Sequence, residues 1–514
     1  MKALVAGCLC WFLLGCGTDV NRVPGVDSAL SLRIYSPPAQ DPFDGVSTLR
    51  MTLQMPEGRD LIINLDIGTT EFLMEGSPAH GVVMLLEGVG VDGQTVISSG
   101  QSAPFDLNPA KPAEVDLLFA RKGEFARLLG DLGHKRFGHT ASALPDGRVL
   151  IFGGASSGDL DSPENFPPPE VYNLKTQTSC VFEEELCPRY PGADRRIGHS
   201  ATAASTGEVL VFGGEDEGFE LVEEILLFDP VTATFSRLSN FDQTKIAPRA
   251  YHAAAGFQFD DKTGGGFREA VLISGGEVDG AGKRVLTANG LVFDLQAETF
   301  TQTDLTMVHP RARHTLTTFR EDHSRVLAIG GEGSVGLVNP AEISDGDSFW
   351  VVQPGAGGRD GLLVPRVNHS AVPVPGGVMV LGGDDMLESV DAPEIFLAGA
   401  AMGAGIFSLQ VQAAHQGHRA RRGLIAAWLP SGVVLYAGGE FLSAFDRELL
   451  DTAEALQIEE GALNAAFSQA APIGQKLSFP AVTILPSGAL LITGGMKPGA
   501  GDPEASDEVW YYNP

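Results

Sequence analysis

Basic residues are scarce in this sequence of 514 residues: 35 Lys and Arg stand against 65 Asp and Glu, a formal net charge of −30. A nucleic-acid-binding surface needs a basic footprint, so we expect no nucleic-acid partner. The acidic residues are spread along the chain rather than gathered in one tail. We interpret them as a soluble surface whose charges repel one another, and they do not by themselves indicate a cationic partner.

Long apolar runs are also missing. The run at the N-terminus, from Ala3 to Leu14, follows the positive Lys2 and is too short to span a bilayer, which is the layout of a secretory signal. The ending Leu13-Leu14-Gly15-Cys16 resembles the bacterial lipobox, whose peptidase cuts before a cysteine that then carries lipid. The resemblance implies a lipoprotein signal peptide over 1–15. The alternative is a plain signal peptide that is cut elsewhere.

The same resemblance predicts how the chain is anchored. Cys16 would carry the lipid, and the polar segment 16–28 would be the tether. Residue 17 is Gly rather than the Asp that retains many such lipoproteins in the inner membrane. We therefore expect an exported protein that is lipid-anchored in the bacterial cell envelope, at the outer membrane.

Cysteine is rare, with five residues in the whole chain. Cys8 and Cys10 would leave with the signal peptide and Cys16 would be lipidated, so only Cys180 and Cys187 remain. In an exported chain such a pair predicts a local disulfide, and two free thiols are the alternative. We expect no zinc site here, because no His and no second Cys pair lie nearby.

Helix periodicity is absent between residues 29 and 122. Short alternating or apolar runs such as SLRIYS, TLRMTLQM and AEVDLLFAR are separated by segments rich in Pro and Gly. About six or seven short strands predict a β-sandwich module of immunoglobulin-like or similar type. The module contains no residues that suggest chemistry, so we expect a spacer or an accessory binding module.

Glycine is abundant, with 64 residues, and its pairs repeat through the rest of the chain. A double glycine occurs seven times at intervals of 52 to 62 residues, and its first members are Gly153, Gly213, Gly275, Gly330, Gly382, Gly438 and Gly494. Two apolar strands and a Gly-containing turn precede each pair, which predicts a hairpin. A third and a fourth strand follow, so the pattern predicts a seven-bladed propeller over 123–514.

The repeats resemble the kelch repeat, as found in secreted bacterial proteins and in galactose oxidase-like propellers. The resemblance rests on Arg-x-x-His, a Gly turn, an aliphatic strand and Gly-Gly, and it covers about residues 125 to 514. The chain ends after a third strand, at EVWYYNP. The segment 124–132 resembles a fourth strand, and we expect it to complete the last blade and to remove two exposed sheet edges.

Residues that recur in every repeat indicate architecture. We expect structural roles for the Arg and His of the motif, which are Arg136, His139, Arg196, His199, Arg249, His252, Arg311, His314, Arg366 and His369. A glutamate begins the third strand in six repeats, and we expect it to form a partly buried pair with the motif arginine. Independent surface charges are the alternative.

No catalytic motif is recognisable, so we expect no catalytic residue, no metal and no cofactor. The chain lacks the sequence pattern of a nucleophile elbow, a zinc protease or an EF-hand loop. His415 and His418 are three residues apart, about one helical turn, and could bind a metal together, but they have no third ligand in the sequence. The copper ligands of galactose oxidase-like enzymes are likewise not evident.

Function is therefore expected in the residues that do not repeat. Loops follow each double glycine, and long loops on a rigid scaffold often carry binding sites. The longest of these loops, over 155–170, precedes the predicted Cys180–Cys187 disulfide. We expect the propeller to bind a protein or glycan partner, with the membrane contacted only through the lipid. The alternative is a galactose oxidase-like or carbohydrate-active enzyme with an unrecognised site in the propeller funnel.

Overall fold

The structure is a computed structural model that describes residues 11–12, 30–67, 79–107, 113–159, 162–182, 195–239, 241–242, 244–260, 266–319, 323–354, 358–399, 403–409, 419–458 and 467–514. These residues form strands, turns and loops and contain no helix, so the described part of the chain is all-β. It accordingly contains no helix that could cross a membrane. Apart from the short strand Trp11–Phe12, the predicted signal peptide and tether lie outside the described residues.

The N-terminal module consists of two sheets around one core. The smaller sheet holds Trp11–Phe12, Leu30–Tyr35 and Ala113–Leu118, and the last two strands are parallel. The larger sheet is antiparallel and holds Val46–Gln54, Leu61–Asp66, Ala79–Gly90, Val96–Gln101, Phe105–Leu107 and Ala120–Arg121. Alternate side chains of both sheets point inward, as the period of a strand requires, and bury residues such as Leu32 and Met51 in the shared core.

Seven further sheets, which we call repeats 1 to 7, follow in chain order. Repeats 1 to 4 contain Thr140–Ala143, Arg148–Phe152, Glu170–Asn173, Thr178–Val181; Ser200–Ala203, Val209–Phe212, Leu226–Asp229, Thr234–Arg237; Ala253–Asp260, Phe267–Ser274, Asn289–Asp294, Thr299–Thr306; and Thr315–Phe319, Arg325–Ile329, Glu342–Ser344, Phe349–Val351. Repeats 5 and 6 contain Val367–Val374, Gly377–Asp384, Glu394–Ala398, Ala404–Leu409; and Ile425–Trp428, Val433–Ala437, Ala453–Gln457, Phe467–Ala470. The two-residue strand Gln353–Pro354 adds to the edge of repeat 5.

Repeat 7 is built from both ends of the propeller segment. Its first three strands are Ala481–Ile484, Leu490–Thr493 and Val509–Tyr512, and its fourth is Phe125–Arg127 from the N-terminal side. The last two strands are antiparallel, with Phe125 opposite Tyr512. The predicted pairing of segment 124–132 with the last strand of the chain is therefore found, over residues Phe125–Arg127.

Neighbouring repeats pack face to face through apolar side chains. The second strand of each repeat is almost wholly buried because neighbouring sheets cover both of its faces, as for Arg148–Phe152. Phe152 of repeat 1 contacts Phe235 of repeat 2 with ring centroids 5.6 Å apart. The first strand of each repeat also contacts the first strand of the next, and that of repeat 7 contacts that of repeat 1.

Each repeat has two different ends. The segment after the double glycine joins the second strand to the third, and we call this end the loop face. The turns that join the first strand to the second and the third to the fourth form the opposite end, the turn face. The N-terminal module contacts the turn face, where Asp116 and Leu118 line a cleft with Pro145, Leu485 and Tyr511. The loop face is thus on the side away from this module.

Candidate functional site on the loop face

The motif arginines are the largest fully buried side chains among the described residues, and they bind the double glycines. In repeats 1 to 6 one guanidinium nitrogen donates to the carbonyl of the first glycine at 3.0 to 3.2 Å. A side chain on the first or second glycine would clash with backbone atoms, and both glycines have positive φ, 67° and 86° for Gly153 and Gly154. The recurrence of Arg with Gly-Gly therefore reflects one buried interaction.

The predicted Arg–Glu pairs form in five repeats. Arg311 contacts Glu342 at 2.8 Å and Arg421 contacts Glu454 at 2.8 Å, and Arg136–Glu170 and Arg366–Glu394 are also direct contacts. The pair Arg196–Glu224 is longer, at 3.9 Å. Glu170, Glu342 and Glu394 also accept backbone hydrogen bonds, such as that from Val308 N to Glu342 at 2.7 Å. These three pairs thus fasten the connecting segment between repeats.

Repeat 3 replaces the carboxylate with an amide. Arg249 donates to the side-chain oxygen of Asn289 at 2.7 Å. Burial lowers the pKa of Arg249 to about 10, since no carboxylate offsets the desolvation. The guanidinium remains charged at neutral pH and is held by the carbonyls of Gly275 and Asn289.

The motif histidines link one repeat to the one before it. Each imidazole Nε2 lies 2.8 to 3.0 Å from a hydroxyl of the preceding repeat, in the pairs His139–Thr493, His199–Thr140, His252–Ser200, His314–Ser274 and His369–Thr315. Burial lowers the pKa of all five rings, and the pKa of His199 and of His369 falls to about 3. The rings are therefore neutral and are distributed one per repeat.

Among the described residues, no three His, Cys, Asp or Glu side chains converge as a metal site. Among the tyrosines, Tyr172 donates to the carbonyl of Gly130 at 2.9 Å. His415 and His418 lie outside the described residues.

The cysteine predictions lie mostly outside the described residues. Cys180 is disulfide-bonded, but Cys187 is not described, so their pairing stays a prediction. Cys16 is also undescribed, and its lipidation stays a prediction. In the predicted binding loop 155–170, Phe166 is buried beside Phe137 and Met496, which fixes this loop to the body of the propeller segment.

A belt of backbone hydrogen bonds runs from repeat to repeat at the loop face. It consists of the residues directly before the motif histidine or its replacement, namely Gly138, Gly198, Tyr251, Arg313, Asn368, Gly423 and Phe479, and all have positive φ. The N–H of Tyr251 donates to the carbonyl of Gly198 at 2.7 Å, and that of Arg313 donates to the carbonyl of Tyr251 at 2.8 Å. Bulky residues rarely adopt this conformation, and such strain is concentrated at functional sites.

A second feature of this face escaped the sequence prediction. The residue after the double glycine is acidic in repeats 2 to 6, and these residues form the acidic ring Glu215, Glu277, Glu332, Asp384 and Glu440. In repeats 2, 3, 4 and 6 the acidic residue forms an isolated β-bridge with the segment that carries the belt residue, as Glu277 does with Ala250. In repeat 5 the first two strands themselves extend far enough to pair Asp384 with Val367. The constant position of these acidic residues after Gly-Gly was the signal available in the sequence.

Belt and ring side chains interact across repeats. Arg313 stacks on Tyr251, with its guanidinium carbon 3.8 Å from the ring centroid, and lies 3.5 Å from Glu332 and 4.0 Å from Glu277. The Tyr251 hydroxyl donates to Glu215 at 2.5 Å. Burial raises the pKa of Glu277, and Glu215 and Glu332 add to the increase while Arg313 opposes it. The arrangement is a partly desolvated, carboxylate-rich surface.

Comparisons with known proteins bear on the fold. No protein-family model matches the chain. An F-box/kelch-repeat protein of Arabidopsis thaliana is 27% identical over 183 residues, covering 31% of this chain and 34% of that protein. Adagio protein 3 of Arabidopsis thaliana is 31% identical over 100 residues, covering 18% and 16%. The chain therefore matches about a third and about a sixth of the length of these curated relatives.

A solved structure is similar over more of the chain. It is described as a novel fungal alcohol oxidase with catalytic diversity among the AA5 family, in complex with copper, and it has a TM-score of 0.52 at 17% identity, covering 75% of each chain. At this identity the similarity shows the fold alone. Together with the kelch-repeat relatives, it supports a kelch/propeller-type fold for this chain.

Proposed function

We propose that the chain is a lipid-anchored envelope protein whose seven-bladed, closed propeller binds a partner protein on its loop face. The observation that carries this proposal is the orientation of the two modules. The N-terminal module contacts the turn face, so the variable loops remain on the opposite side, away from it. The kelch-repeat relatives suggest protein interaction in general.

Three observations support the closed seven-bladed architecture. Seven successive sheets have the same strand order, and a strand from the N-terminal side completes repeat 7. The first strands contact one another in sequence from repeat 1 to repeat 7 and back. Closure of this kind leaves only short, protected sheet edges, which reduces edge-to-edge pairing.

The anchor and the location rest on the N-terminal sequence alone. Its lipobox resemblance supports lipidation of Cys16, export and an outer-membrane position in a bacterium. In this arrangement the tether joins the N-terminal module, and that module in turn holds the turn face. The loop face would point away from the point of attachment and would be accessible to a partner.

Site-specific crosslinking in the full chain tests the proposal. A photoreactive amino acid replaces Phe445, which is fully exposed on the loop face, or Val231, which is 90% exposed on the turn face. We expect crosslinked products in envelope extracts from position 445 and far fewer from position 231. Equal products from both positions, or none from position 445, would contradict binding through the loop face.

A galactose oxidase-like or carbohydrate-active enzyme is the second candidate. The similarity to a copper-containing fungal alcohol oxidase favours it only at the level of the fold. Among the described residues, no group of three His, Cys, Asp or Glu side chains could hold a metal ion. Copper analysis of the purified chain after incubation with Cu²⁺ separates the two candidates, because stoichiometric, tightly bound copper would favour the enzyme.

A further inference from the structure

Large apolar side chains are exposed at the tips of several loops on the loop face. Five of them belong to repeats 2, 4, 5 and 6, and they are Phe219, Val335, Met386, Leu387 and Phe445. Val335 and Phe445 are fully exposed. Val231, Phe267 and Ile484 are likewise exposed on the turn face, so the loop face is distinguished by the combination of apolar tips with acidic surroundings.

Hydrogen-bonded turns hold these apolar side chains outward. The carboxylate of Asp216 accepts from the N–H of Gly218 at 2.8 Å and of Glu220 at 3.0 Å, and Phe219 between them has a φ of 59°. Met386 has a φ of 77°, and its N–H donates to Asp384 at 3.0 Å. Exposure of the tips is therefore set by defined turns, some of them in an unfavourable backbone conformation.

The surroundings of these tips are strongly acidic. The loops that follow the double glycines in repeats 2 to 7 (215–225, 277–288, 332–341, 384–393, 440–452 and 496–507) hold 20 Asp or Glu and four Lys or Arg. In the acidic ring, Arg284 and Arg313 contact Glu215, Glu277 and Glu332, and Arg422 and Arg447 contact Asp384 and Glu440, so the larger acidic excess lies in the loops. Such an excess attracts cations and repels acidic chains over about 8 Å at physiological salt.

We propose that the loop face of repeats 2 to 6 docks a segment of a partner protein that is rich in Lys or Arg and also carries apolar side chains. The proposal rests on the proposed function and names the chemistry of its partner. Basic side chains meet the unbalanced carboxylates, which sets the association rate and the specificity. Apolar side chains cover the tips, and aromatic residues such as Phe445 contribute most to affinity in such interfaces.

Peptide binding to the full chain tests the partner chemistry. The probe is a fluorescein-labelled amphipathic peptide of Lys and Leu, and the two matched peptides replace Lys with Glu or Leu with Ser. Fluorescence anisotropy reports the Kd at low and at physiological salt. We expect the Lys/Leu peptide to bind at least about tenfold more tightly than either matched peptide, and its affinity to fall as salt increases.

Surface variants locate the binding site. The double substitution Val335→Ser and Phe445→Ser should weaken the Lys/Leu peptide about fivefold or more, because both side chains are fully exposed and their loss does not disturb the core. Glu220→Gln with Glu388→Gln should reduce the salt dependence. The matched control Val231→Ser, on the turn face, should leave the Kd unchanged.

The outcomes distinguish this inference from the proposed function. Equal binding of the Lys/Leu and Glu/Leu peptides, no binding at all, or no effect of the Val335 and Phe445 substitutions would overturn the partner chemistry. If a crosslinked partner still forms from position 445 in those cases, the proposed function stands without this inference. If that crosslink also fails, the proposed function itself is wrong.

Discussion

The five buried motif histidines predict that this protein loses stability in mild acid. Their pKa values are lowered by burial in the folded chain, and the unfolded chain restores them to about 6.5. Between the two values the unfolded state binds more protons than the folded state. The stabilising contribution is therefore complete above about pH 6.5 and is lost as the pH falls towards about 3.

The magnitude follows from the two rings whose pKa falls to about 3, His199 and His369. At about pH 5 the free energy of protonating one unfolded histidine is about 2 kcal/mol, and the folded ring remains almost fully neutral. These two residues should lower the free energy of unfolding by about 4 kcal/mol between about pH 8 and pH 5. That is a large share of the about 5–15 kcal/mol by which folded proteins are stable.

Urea unfolding followed by circular dichroism at a series of pH values measures this effect. The variant His199→Gln removes one titrating ring, so its free energy of unfolding should change by about 2 kcal/mol less than that of the wild type over the same pH interval. The exposed His80, whose side chain is 89% accessible, provides the control variant His80→Gln. Identical pH dependence in wild type and His199→Gln would refute the assignment of the effect to the buried ring.

The remaining predictions concern the ion pairs, the module contact and the two cysteine sites. Arg366→Met leaves Glu394 buried without its partner and should lower the free energy of unfolding, measured in urea, by about 3–5 kcal/mol. The control Arg127→Met, at an exposed pair, should lower it by under about 1 kcal/mol. Equal losses would contradict a special role of the buried pair. Asn513→Ala removes donors to Ala120 and Ser99 and should cost about 1–3 kcal/mol, with faster hydrogen exchange at the module contact as the measurement. Cys16→Ser should abolish labelling by radioactive palmitate, and labelling that persists would exclude lipidation at this residue. A non-reduced digest should contain a Cys180–Cys187 crosslinked peptide in mass spectra, and a different partner for Cys180 would disprove the predicted clip.

Much of the fold could be predicted from repeated residues. The double glycine marks the end of the second strand in six repeats, and in repeat 5 the strand continues through it to Asp384. Positive φ and close backbone contact tolerate no side chain at either glycine. The pairing of Phe125–Arg127 with Val509–Tyr512 could also be predicted, since one end lacked a fourth strand and the other resembled one. These features depend on local periodicity, which a sequence displays directly.

The candidate site was less accessible to sequence reasoning. The belt residues Gly138, Tyr251, Asn368 and Phe479 have no common side-chain chemistry, and what they share is a positive φ. Backbone conformation at a non-glycine residue is set by its neighbours from other repeats and leaves no mark in composition. The acidic residue after Gly-Gly was visible, but only its packing distinguished it from a solvated loop residue.

The sequence by itself determined the repeat, its register and the recurring Arg, His and Glu positions, because each is a local pattern tied to a local physical requirement. Only the tertiary structure decided which residues meet. Glu215, Glu277 and Glu332 come from three repeats and interact through Tyr251, Arg284 and Arg313, and the N-terminal module leaves the loop face on its far side. Contacts between repeats depend on how the sheets are arranged in space, and that arrangement is a property of the whole packed chain.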